Sequence, residues 1–284
     1  MTDPAPKKGK VEMSPVKIAI AGARGRMGQR LSFLSLADPE LEFVGAIEHA
    51  GHPMSGKKLV DIDPSYGAEC TLTLLKSLKD LTVKPDVVID FSMPVGTVER
   101  CKEAEELGIC MVIGTTGLTA EQTQKVAETA KKTPVIHAMN YSLGVNLMFK
   151  VAGQVAKALK GFNIEIVEAH HNKKVDAPSG TAWGLADSIC ASLGKTRDDV
   201  VHGRNPENPG KRTETEIGMH AVRMGAVVGE HTVYYASDFE RIELTHKAQD
   251  RDVFAAGALR AAKWLSGKKG SPAMYSMEDV LFGE

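Results

Sequence analysis

The sequence predicts an α/β protein in which a doubly wound parallel sheet is joined to a second, α+β domain with a mixed sheet. Residues 16–141 carry short β-branched runs that alternate with helix-like segments, the pattern of a parallel sheet covered by helices. Residues 217–247 carry three strand-like runs without a helix between them, which is typical of an antiparallel or mixed sheet. A chain of 284 residues is long enough for one large or two modest domains.

The composition indicates an ordinary globular protein. Hydrophobic residues make up 43% of the chain, charged residues 25%, and the formal net charge is −1, so no nucleic-acid or anionic-membrane partner is predicted. No apolar run approaches the roughly 20 residues that span a bilayer. The N-terminus lacks a signal-peptide core, and we expect a cytoplasmic protein. The four spread cysteines are expected to be reduced and mostly packed, with a catalytic cysteine as a minor alternative.

The ordered part of the chain is predicted to begin with a strand–turn–helix–strand unit, after a disordered Pro- and Lys-rich tail over residues 1–14. A strand over residues 16–21 leads into the glycine turn Gly22-Ala-Arg-Gly-Arg-Met-Gly28. A helix over residues 29–36 follows, and then a strand over residues 41–48 that ends in a carboxylate.

This unit has the arrangement of a Rossmann-type dinucleotide fingerprint, although its glycine spacing is G-x-x-G-x-x-G rather than G-x-G-x-x-G. Glycines permit the tight turn and let the backbone approach a pyrophosphate. The pyrophosphate would lie on the helix N-terminus, and Glu48 would accept hydrogen bonds from the adenosine ribose. The alternative is a plain strand–helix turn with structural glycines.

The alternation of strands and helices continues to residue 141. Further strands are predicted over residues 87–91, 111–113 and 135–138, and helices over about 94–107 and from about 120, where Thr119 and Gln122 form a capping box. The strand ends at 91–92, 114–116 and 138–141 should meet at the carboxyl edge of one sheet, where doubly wound sheets bind ligands. The small polar residues 114–116 suit a nicotinamide site, although turn chemistry alone also explains them.

The second part of the chain has a different pattern. It is predicted to contain a helix over residues 145–159, a strand over 164–167, a polar Pro/Gly loop over 203–212, strands over 217–223, 232–236 and 241–247, and an amphipathic helix over 251–265. We expect the C-terminal piece to pack back on the first domain. The predicted division is therefore residues 15–141, completed by 251–284, and residues 142–250.

The stretch 168–181 concentrates polar chemistry at the end of a predicted strand. It reads Glu-Ala-His-His-Asn-Lys-Lys-Val-Asp-Ala-Pro-Ser-Gly-Thr. Ser179 and Thr181 are good N-caps for a helix that runs to about residue 193. The free amides of that helix would lie beside two histidines and two lysines, an arrangement that suits a carboxylate or phosphate ligand.

The same stretch does not predict a metal site. Adjacent strand residues point to opposite faces, so His170 and His171 are not expected to chelate one ion together. Neither a His-Glu-x-x-His nor a Cys-x-x-Cys spacing occurs in the chain. Taken singly, these histidines and lysines would more often be structural or solvated than catalytic. Their cluster, however, has no helical or strand periodicity that packing would explain.

The motifs together resemble the 4-hydroxy-tetrahydrodipicolinate reductase family, also named dihydrodipicolinate reductase, of the diaminopimelate and lysine pathway. The motifs that carry the resemblance are Gly22-Ala-Arg-Gly-Arg-Met-Gly28, Val112-Ile-Gly-Thr-Thr-Gly117, Asn140-Tyr-Ser-Leu-Gly-Val-Asn146, residues 168–182, Val228-Gly-Glu-His231 and Thr245-His-Lys247. They span nearly the whole chain from residue 16, and the motif at 168–182 is highly specific. The resemblance implies reduction of 4-hydroxy-2,3,4,5-tetrahydrodipicolinate to 2,3,4,5-tetrahydrodipicolinate with NADH or NADPH.

The resemblance also implies a role for individual residues. His170 matches the proton donor or acceptor and Lys174 the second catalytic donor. Contacts to the substrate carboxylate match His171, Gly180 and Thr181. Contacts to the cofactor match Gly22, Ala23, Arg24, Gly25, Arg26, Met27, Gly28, Glu48, His49, Gly114, Thr115, Thr116, Ala138, Met139, Asn140 and Tyr141. It further implies that residues 142–250 bind the substrate and build a homotetramer.

Two departures from the family pattern concern the cofactor side. Met93 stands where some relatives have Arg, and His49 follows Glu48 where many NADPH-using relatives have Arg. Two other functions remain as alternatives. A different Rossmann oxidoreductase, of the semialdehyde or homoserine dehydrogenase type, would account for residues 16–140 but not for 168–182. A dinucleotide-sensing module without activity would not need the catalytic residues.

Overall fold

The computed structural model of the chain describes residues 14–203 and 210–283. The predicted tail over residues 1–14 lies outside the described residues except for its last position, and most of the predicted loop over 203–212 also lies outside them. Among the described residues, no helix has both the length and the apolar character that crossing a membrane would need.

The described chain contains strands and helices in alternation through its first half. The strands are β1 (Val16–Ala21), β2 (Leu41–Ile47), β3 (Leu74–Leu75), β4 (Val87–Asp90), β5 (Cys110–Ile113), β6 (Val135–His137), β7 (Asn163–His170), β8 (Val200–His202), β9 (Ile217–Arg223), β10 (Glu230–Ala236), β11 (Arg241–Lys247) and β12 (Met274–Tyr275). The helices are α1 (Arg26–Leu36), α2 (Leu59–Ile62), α3 (Pro94–Leu107), α4 (Ala120–Thr129), α5 (Leu143–Ala158), α6 (Gly180–Leu193), α7 (Asp252–Ser266) and α8 (Met277–Phe282). Single 3-10 turns occur at Pro64–Tyr66, Leu78–Asp80 and Arg197–Asp199.

Seven strands form a parallel sheet in the order β12-β6-β5-β4-β1-β2-β3. Helices α1 and α7 contribute to the core on one face, and α3 and α4 to the core on the other. The chain proceeds outward from β1 to β3 and then returns to β4 on the other side of β1. This reversal leaves a crevice at the carboxyl ends of β1 and β4, the place where doubly wound sheets bind ligands.

The second sheet has five strands in the order β11-β10-β7-β9-β8. Strand β7 is parallel to β9 and antiparallel to β10, so the predicted mixed sheet is confirmed. Helices α5 and α6 pack together against one face and bury the second apolar core. The opposite face carries partly exposed side chains, among them Val167, Val222 and Thr232.

The C-terminal piece returns to the first sheet, as predicted. Strand β12 pairs in parallel with β6, and α7 packs against β4 and β5. The four cysteines are free thiols, three of them buried, in agreement with the prediction of packed reduced cysteines. Burial raises the pKa of Cys101 and of Cys110 to about 11, so neither thiol is activated for nucleophilic chemistry.

Several predicted boundaries need correction. Helix α1 begins at Arg26, three residues before the predicted start at 29, because the last glycine of the turn lies inside its first turn. Strand β7 continues to His170, beyond the predicted end at 167, because β9 and β10 pair with it along its whole length. Elements α2, β3, β8, β12 and α8 were not predicted, since two to six residues are too few for a visible periodicity.

Candidate active site

A cleft of about 1150 Å³ separates the carboxyl edge of the parallel sheet from the N-terminus of α6. The sequence-predicted residues on its first side are Met27, Gly114, Thr116, Ala138, Met139, Asn140 and Tyr141. Those on its second side are His170, His171, Lys174, Gly180 and Thr181. A smaller pocket of about 440 Å³ lies at the glycine turn and contains Gly22, Gly25, Glu48 and His49. The fold thus brings together residues that are up to 159 positions apart, from Gly22 to Thr181.

The glycine turn has the close contacts that the fingerprint requires. Gly22 has a φ of +73°, and a Cβ atom there would lie 2.6 Å from the carbonyl oxygen of Phe91. A Cβ atom on Gly28 would lie 2.0 Å from the carbonyl oxygen of Gly22, so only glycine lets α1 pack this closely under the turn. Gly25 is the N-cap of α1, and because glycine has no side chain to cap the helix, the first amides of the helix remain available to an anion.

Glu48 lies just beyond β2, beside the turn. Its Oε1 accepts a hydrogen bond from the backbone amide of Arg24 at 2.9 Å, and its Oε2 accepts one from the amide of His49 at 3.3 Å. These two amides hold the carboxylate at the rim of the small pocket, where it can accept hydrogen bonds from a ribose.

The predicted cofactor residues do not all face a pocket. Ala23, Arg24, Arg26, Gly28 and Thr115 are not among the lining residues of either pocket. Ala23 and Thr115 are buried, and Thr115 donates its hydroxyl to the carbonyl of Ser92 at 3.4 Å.

Tyr141 lines the cleft but is buried, and its hydroxyl donates to the carbonyl of Ile113 at 2.8 Å. Burial raises the pKa of this phenol far above its ordinary value, so its hydroxyl serves the fold rather than proton transfer.

The end of β7 forms a buried carboxylate–histidine pair. The Glu168 side chain is fully buried, and its Oε2 lies 2.5 Å from Nδ1 of His170. Arg223 donates to both oxygens at 2.9 Å, and the amide of Ser179 donates to Oε1 at 3.0 Å. Burial alone would raise the pKa of Glu168, but these donors outweigh burial and hold it below its ordinary value. Because Glu168 is ionised, Nδ1 of His170 must carry a proton, which leaves Nε2 for exchange with a ligand.

His170 is a neutral imidazole near pH 7. Burial lowers its pKa below the ordinary value, the hydrogen bond that it donates to Glu168 opposes that effect, and the charges of Lys174 and Arg223 lower the pKa further. A second histidine, His231, contacts it edge-on with ring centroids 5.2 Å apart. Burial lowers the pKa of His231 to about 3, and its Nε2 lies 3.1 Å from the hydroxyl of Ser179.

The other predicted catalytic and substrate residues surround this pair. Lys174 faces the cleft, but its Nζ forms an ion pair with Asp176, 2.8 Å from each carboxylate oxygen. The adjacent Lys173 is exposed and does not line the cleft. Arg251, the residue before α7, donates to Nε2 of His171 at 3.4 Å, so this contact bridges the two sides of the cleft.

The N-terminus of α6 is the anion-binding element of the cleft. Ser179 is the N-cap, and its hydroxyl accepts a hydrogen bond from the amide of Ala182 at 3.1 Å. Thr181, the other predicted cap, is instead the second residue of the helix. Its hydroxyl accepts a hydrogen bond from Nδ2 of the Asn140 side chain at 3.0 Å. The first two backbone amides of the helix, those of Gly180 and Thr181, lie at the cleft.

Several residues of the site were not predicted as site residues. The small pocket is lined by Phe91, Ser92, Val95, Gly96, Glu99 and Arg100. Arg223 donates to Glu168, and His231 contacts the ring of His170. Phe91 and Ser92 had a signal, because they follow a buried strand at the ligand-binding edge. No sequence signal pointed to Arg223, because 55 residues separate it from its partner Glu168.

Comparisons with known proteins agree with this geometry. The family model described as "Dihydrodipicolinate reductase, N-terminus" matches residues 16–141, and the one described as "Dihydrodipicolinate reductase, C-terminus" matches residues 144–281. The 4-hydroxy-tetrahydrodipicolinate reductase of Geotalea daltonii is 42% identical over 270 residues, which cover 94% of this chain and 98% of that protein. The reductase of Neisseria meningitidis serogroup B is 41% identical over 271 residues, which cover 95% and 98%.

A solved structure has the same architecture over both sheets. It is a dipicolinate-bound dihydrodipicolinate reductase from Paenisporosarcina sp. TG-14, which is 26% identical to this chain. The TM-score is 0.72, and the superposition covers 92% of this chain and 97% of the other.

Proposed function

The chain belongs to the dihydrodipicolinate reductase family, and from this premise we propose how its residues divide the reaction. It is an NAD(P)H-dependent oxidoreductase that reduces 4-hydroxy-tetrahydrodipicolinate in the diaminopimelate and lysine pathway. The two alternatives, another Rossmann oxidoreductase and a sensing module without activity, are not favoured. The relatives match both halves of the chain, including the catalytic stretch that neither alternative explains.

We propose that the dinucleotide lies across the two pockets. Its pyrophosphate is held by the turn from Gly22 to Gly28 and the N-terminus of α1. The tight turn leaves no room for a Cβ atom at Gly22 or Gly28, because each would clash with nearby backbone atoms. Glu48 and His49 face its adenosine ribose in the small pocket. Its nicotinamide is faced in the cleft by Gly114, Thr116 and residues 138–141. When bound there, a reduced nicotinamide supplies the hydride for the reduction.

The substrate is a small cyclic dicarboxylate, and we propose that the N-terminus of α6 holds one of its carboxylates. The amides of Gly180 and Thr181 point a partial positive charge at the cleft, and His171 lines the same side of it. The hydroxyl of Thr181 already accepts from Asn140, so its own proton remains for a substrate oxygen. The dipicolinate that names the related structure is a planar dicarboxylate, which supports this class of ligand.

We propose that His170 and Lys174 handle the proton that the reduction consumes. The net reaction adds one hydride and one proton to the substrate and releases its 4-hydroxyl group as water. Nε2 of His170 is the exchanging atom, because Glu168 occupies Nδ1. The contact of Lys174 with Asp176 uses two of the three N–H donors of its ammonium group, so the third remains for the substrate. The assignment depends on one observation: the buried Glu168–His170 pair lies beside an anion-binding helix end, across the cleft from the predicted nicotinamide site.

A coupled assay tests the function. The product of dihydrodipicolinate synthase is generated in situ, and oxidation of NADH and of NADPH is followed by loss of nicotinamide absorbance. We expect turnover with both cofactors only when the synthase is present. Turnover of an aldehyde substrate instead, or cofactor binding without turnover, would contradict the proposal.

We further propose the division into residues 15–141 with 251–284 and residues 142–250, the second carrying substrate contacts and the oligomer interface. The sheet face opposite α5 and α6 is partly exposed, and its strand β11 carries Glu243 and Lys247, charges of both signs that a self-complementary interface between copies can pair. A homotetramer, expected from the family resemblance, is tested by sedimentation velocity. A cytoplasmic location remains a prediction and is supported by the four free thiols.

A further inference from the structure

Arg223 contacts both halves of the proposed proton-transfer apparatus. On one side its two terminal nitrogens bind the buried carboxylate of Glu168, each at 2.9 Å, and that carboxylate holds Nδ1 of His170. On the other side its Nη2 donates to the backbone carbonyl of Asp176 at 2.6 Å, and the side chain of Asp176 holds Nζ of Lys174. One guanidinium therefore binds both Glu168, which orients His170, and Asp176, which orients Lys174.

The position of Arg223 follows from strand register. It is the last residue of β9, and the parallel pairing of β7 with β9 places it directly beside His170. Its side chain is only 20% exposed, and the planar fork matches the carboxylate of Glu168 with two parallel hydrogen bonds. A lysine would keep the charge at this position but lacks the planar fork that joins the Glu168 carboxylate to the carbonyl of Asp176.

Burial makes this pairing necessary. The Glu168 side chain is fully enclosed, and a buried carboxylate without partners is too costly to remain ionised. Four donor contacts satisfy its two oxygens: two from Arg223, one from His170 and one from the amide of Ser179. Without the guanidinium, the carboxylate would share a proton with His170 instead of directing the imidazole.

The charge on Arg223 also affects the proton affinity of the imidazole. The groups that face His170 are Glu168 on its own strand, Lys174 on the following loop, Arg223 on β9 and His231 on β10. His231 is neutral, so the proton affinity reflects one negative and two positive neighbours. Removing one of the positive charges lets the Glu168–His170 pair bind a proton more tightly.

We propose that Arg223 is a positioning residue for the reaction, which orients His170 through Glu168 and Lys174 through Asp176. The inference rests on the proposed roles of His170 and Lys174. It adds a residue that touches neither the substrate nor the cofactor but controls both proton carriers.

The test compares Arg223→Met and Arg223→Lys with wild type in the coupled assay across pH. We expect Arg223→Met to lower kcat by roughly 10- to 100-fold, the scale of a misplaced catalytic group. KM and the Kd for NADH should stay within about threefold, since no ligand contact is removed. The limb of the pH profile that reports the Glu168–His170 pair should move to higher pH by about half a unit to one unit, and Arg223→Lys should recover most of that shift but less of kcat.

Arg212→Met is the matched control. Arg212 donates to Glu165 on the same strand at 2.9 Å, but Glu165 points to the opposite face of the sheet, away from the cleft. A similar loss of kcat in both methionine variants, without a pH shift in Arg223→Met, would mean that Arg223 is only structural and would overturn the inference. An unchanged kcat and pH profile in Arg223→Met would also overturn it.

Wild type and His170→Gln are measured in the same assay to separate this inference from the function on which it rests. An inactive wild type, or a fully active His170→Gln, contradicts the proposed function. Normal wild-type activity with an unaffected Arg223→Met contradicts the role of Arg223 alone. If Arg223→Met does not fold, the inference is tested with Arg223→Lys, whose ammonium can still neutralise Glu168. An unchanged kcat of Arg223→Lys overturns the bidentate role. A reduced kcat with the wild-type pH profile supports it.

Discussion

The choice between NADH and NADPH should depend on His49, the second residue after β2. His49 lines the small pocket beside Glu48, whose carboxylate is held there by two backbone amides. The pocket also contains the carboxylate-bearing Glu99, and the guanidinium of Arg100 is bound to Glu103, with Nε 2.8 Å from Oε2. The pocket thus has two carboxylates, and the positive charge of Arg100 is already paired with Glu103. It therefore favours a free ribose 2′-hydroxyl over a 2′-phosphate.

We therefore predict dual cofactor use, with NADH preferred or equal near pH 7.5. A protonated histidine attracts a phosphate, so NADPH should gain relative to NADH as the pH falls toward about 6. His49→Arg supplies a charge at every pH. A charge-assisted hydrogen bond is worth about 1.5–3 kcal/mol, and because about 1.4 kcal/mol is a factor of ten, the preference should move toward NADPH by roughly 10- to 100-fold.

The assay is a set of dissociation constants for NADH and NADPH measured across that pH range. His52→Arg is the matched control, because the ring of His52 lies 5.5 Å from that of His49 but does not line the pocket. The control should change the preference by much less than His49→Arg. A strong NADPH preference of the wild type near pH 8, or equal effects of the two substitutions, would refute the idea that His49 reads the 2′ position.

Three further outcomes are expected. His170→Gln and Lys174→Met should each lower kcat by roughly 10²–10⁴-fold, the scale of general acid catalysis, while folding and NADH affinity persist; near-wild-type kcat would remove that residue from the mechanism. Thr181→Val should mainly raise KM and weaken inhibition by pyridine-2,6-dicarboxylate, and unchanged inhibition would place the anion site elsewhere. Burial alone would raise the pKa of Glu105, but hydrogen bonds from Lys125, a threonine and a second lysine lower it to about 2. A carboxyl group whose pKa is lowered in the folded state stabilises the protein at pH values above its unfolded pKa, which is about 4.5 here, and this stabilisation is lost as the pH falls toward 2. Glu105→Gln should therefore lower the free energy of unfolding by roughly 1–3 kcal/mol near pH 7 and by less near pH 3. Urea unfolding at both pH values measures this, and an equal loss at both would contradict the assigned pKa.

Local sequence patterns determined most elements of this protein. The bounds of β1, β9 and β11 agree with the predicted strands, and the predicted capping box of Thr119 and Gln122 is present at the start of α4. Such signals arise from contacts within a few residues, so they survive without knowledge of the fold. The chemistry of residues 168–181 was visible for the same reason, because strand end, turn and helix start follow one another directly in the chain.

Only the tertiary structure decided how that chemistry is controlled. Arg223 reaches Glu168 because β7 and β9 pair in one particular register, and a shift of one residue would turn its side chain to the other face. His231 becomes a neutral neighbour of His170 through burial, and Lys174 is paired with Asp176. Proton affinity depends on burial and on charges within a few ångströms, and strands that are far apart in the sequence determine both.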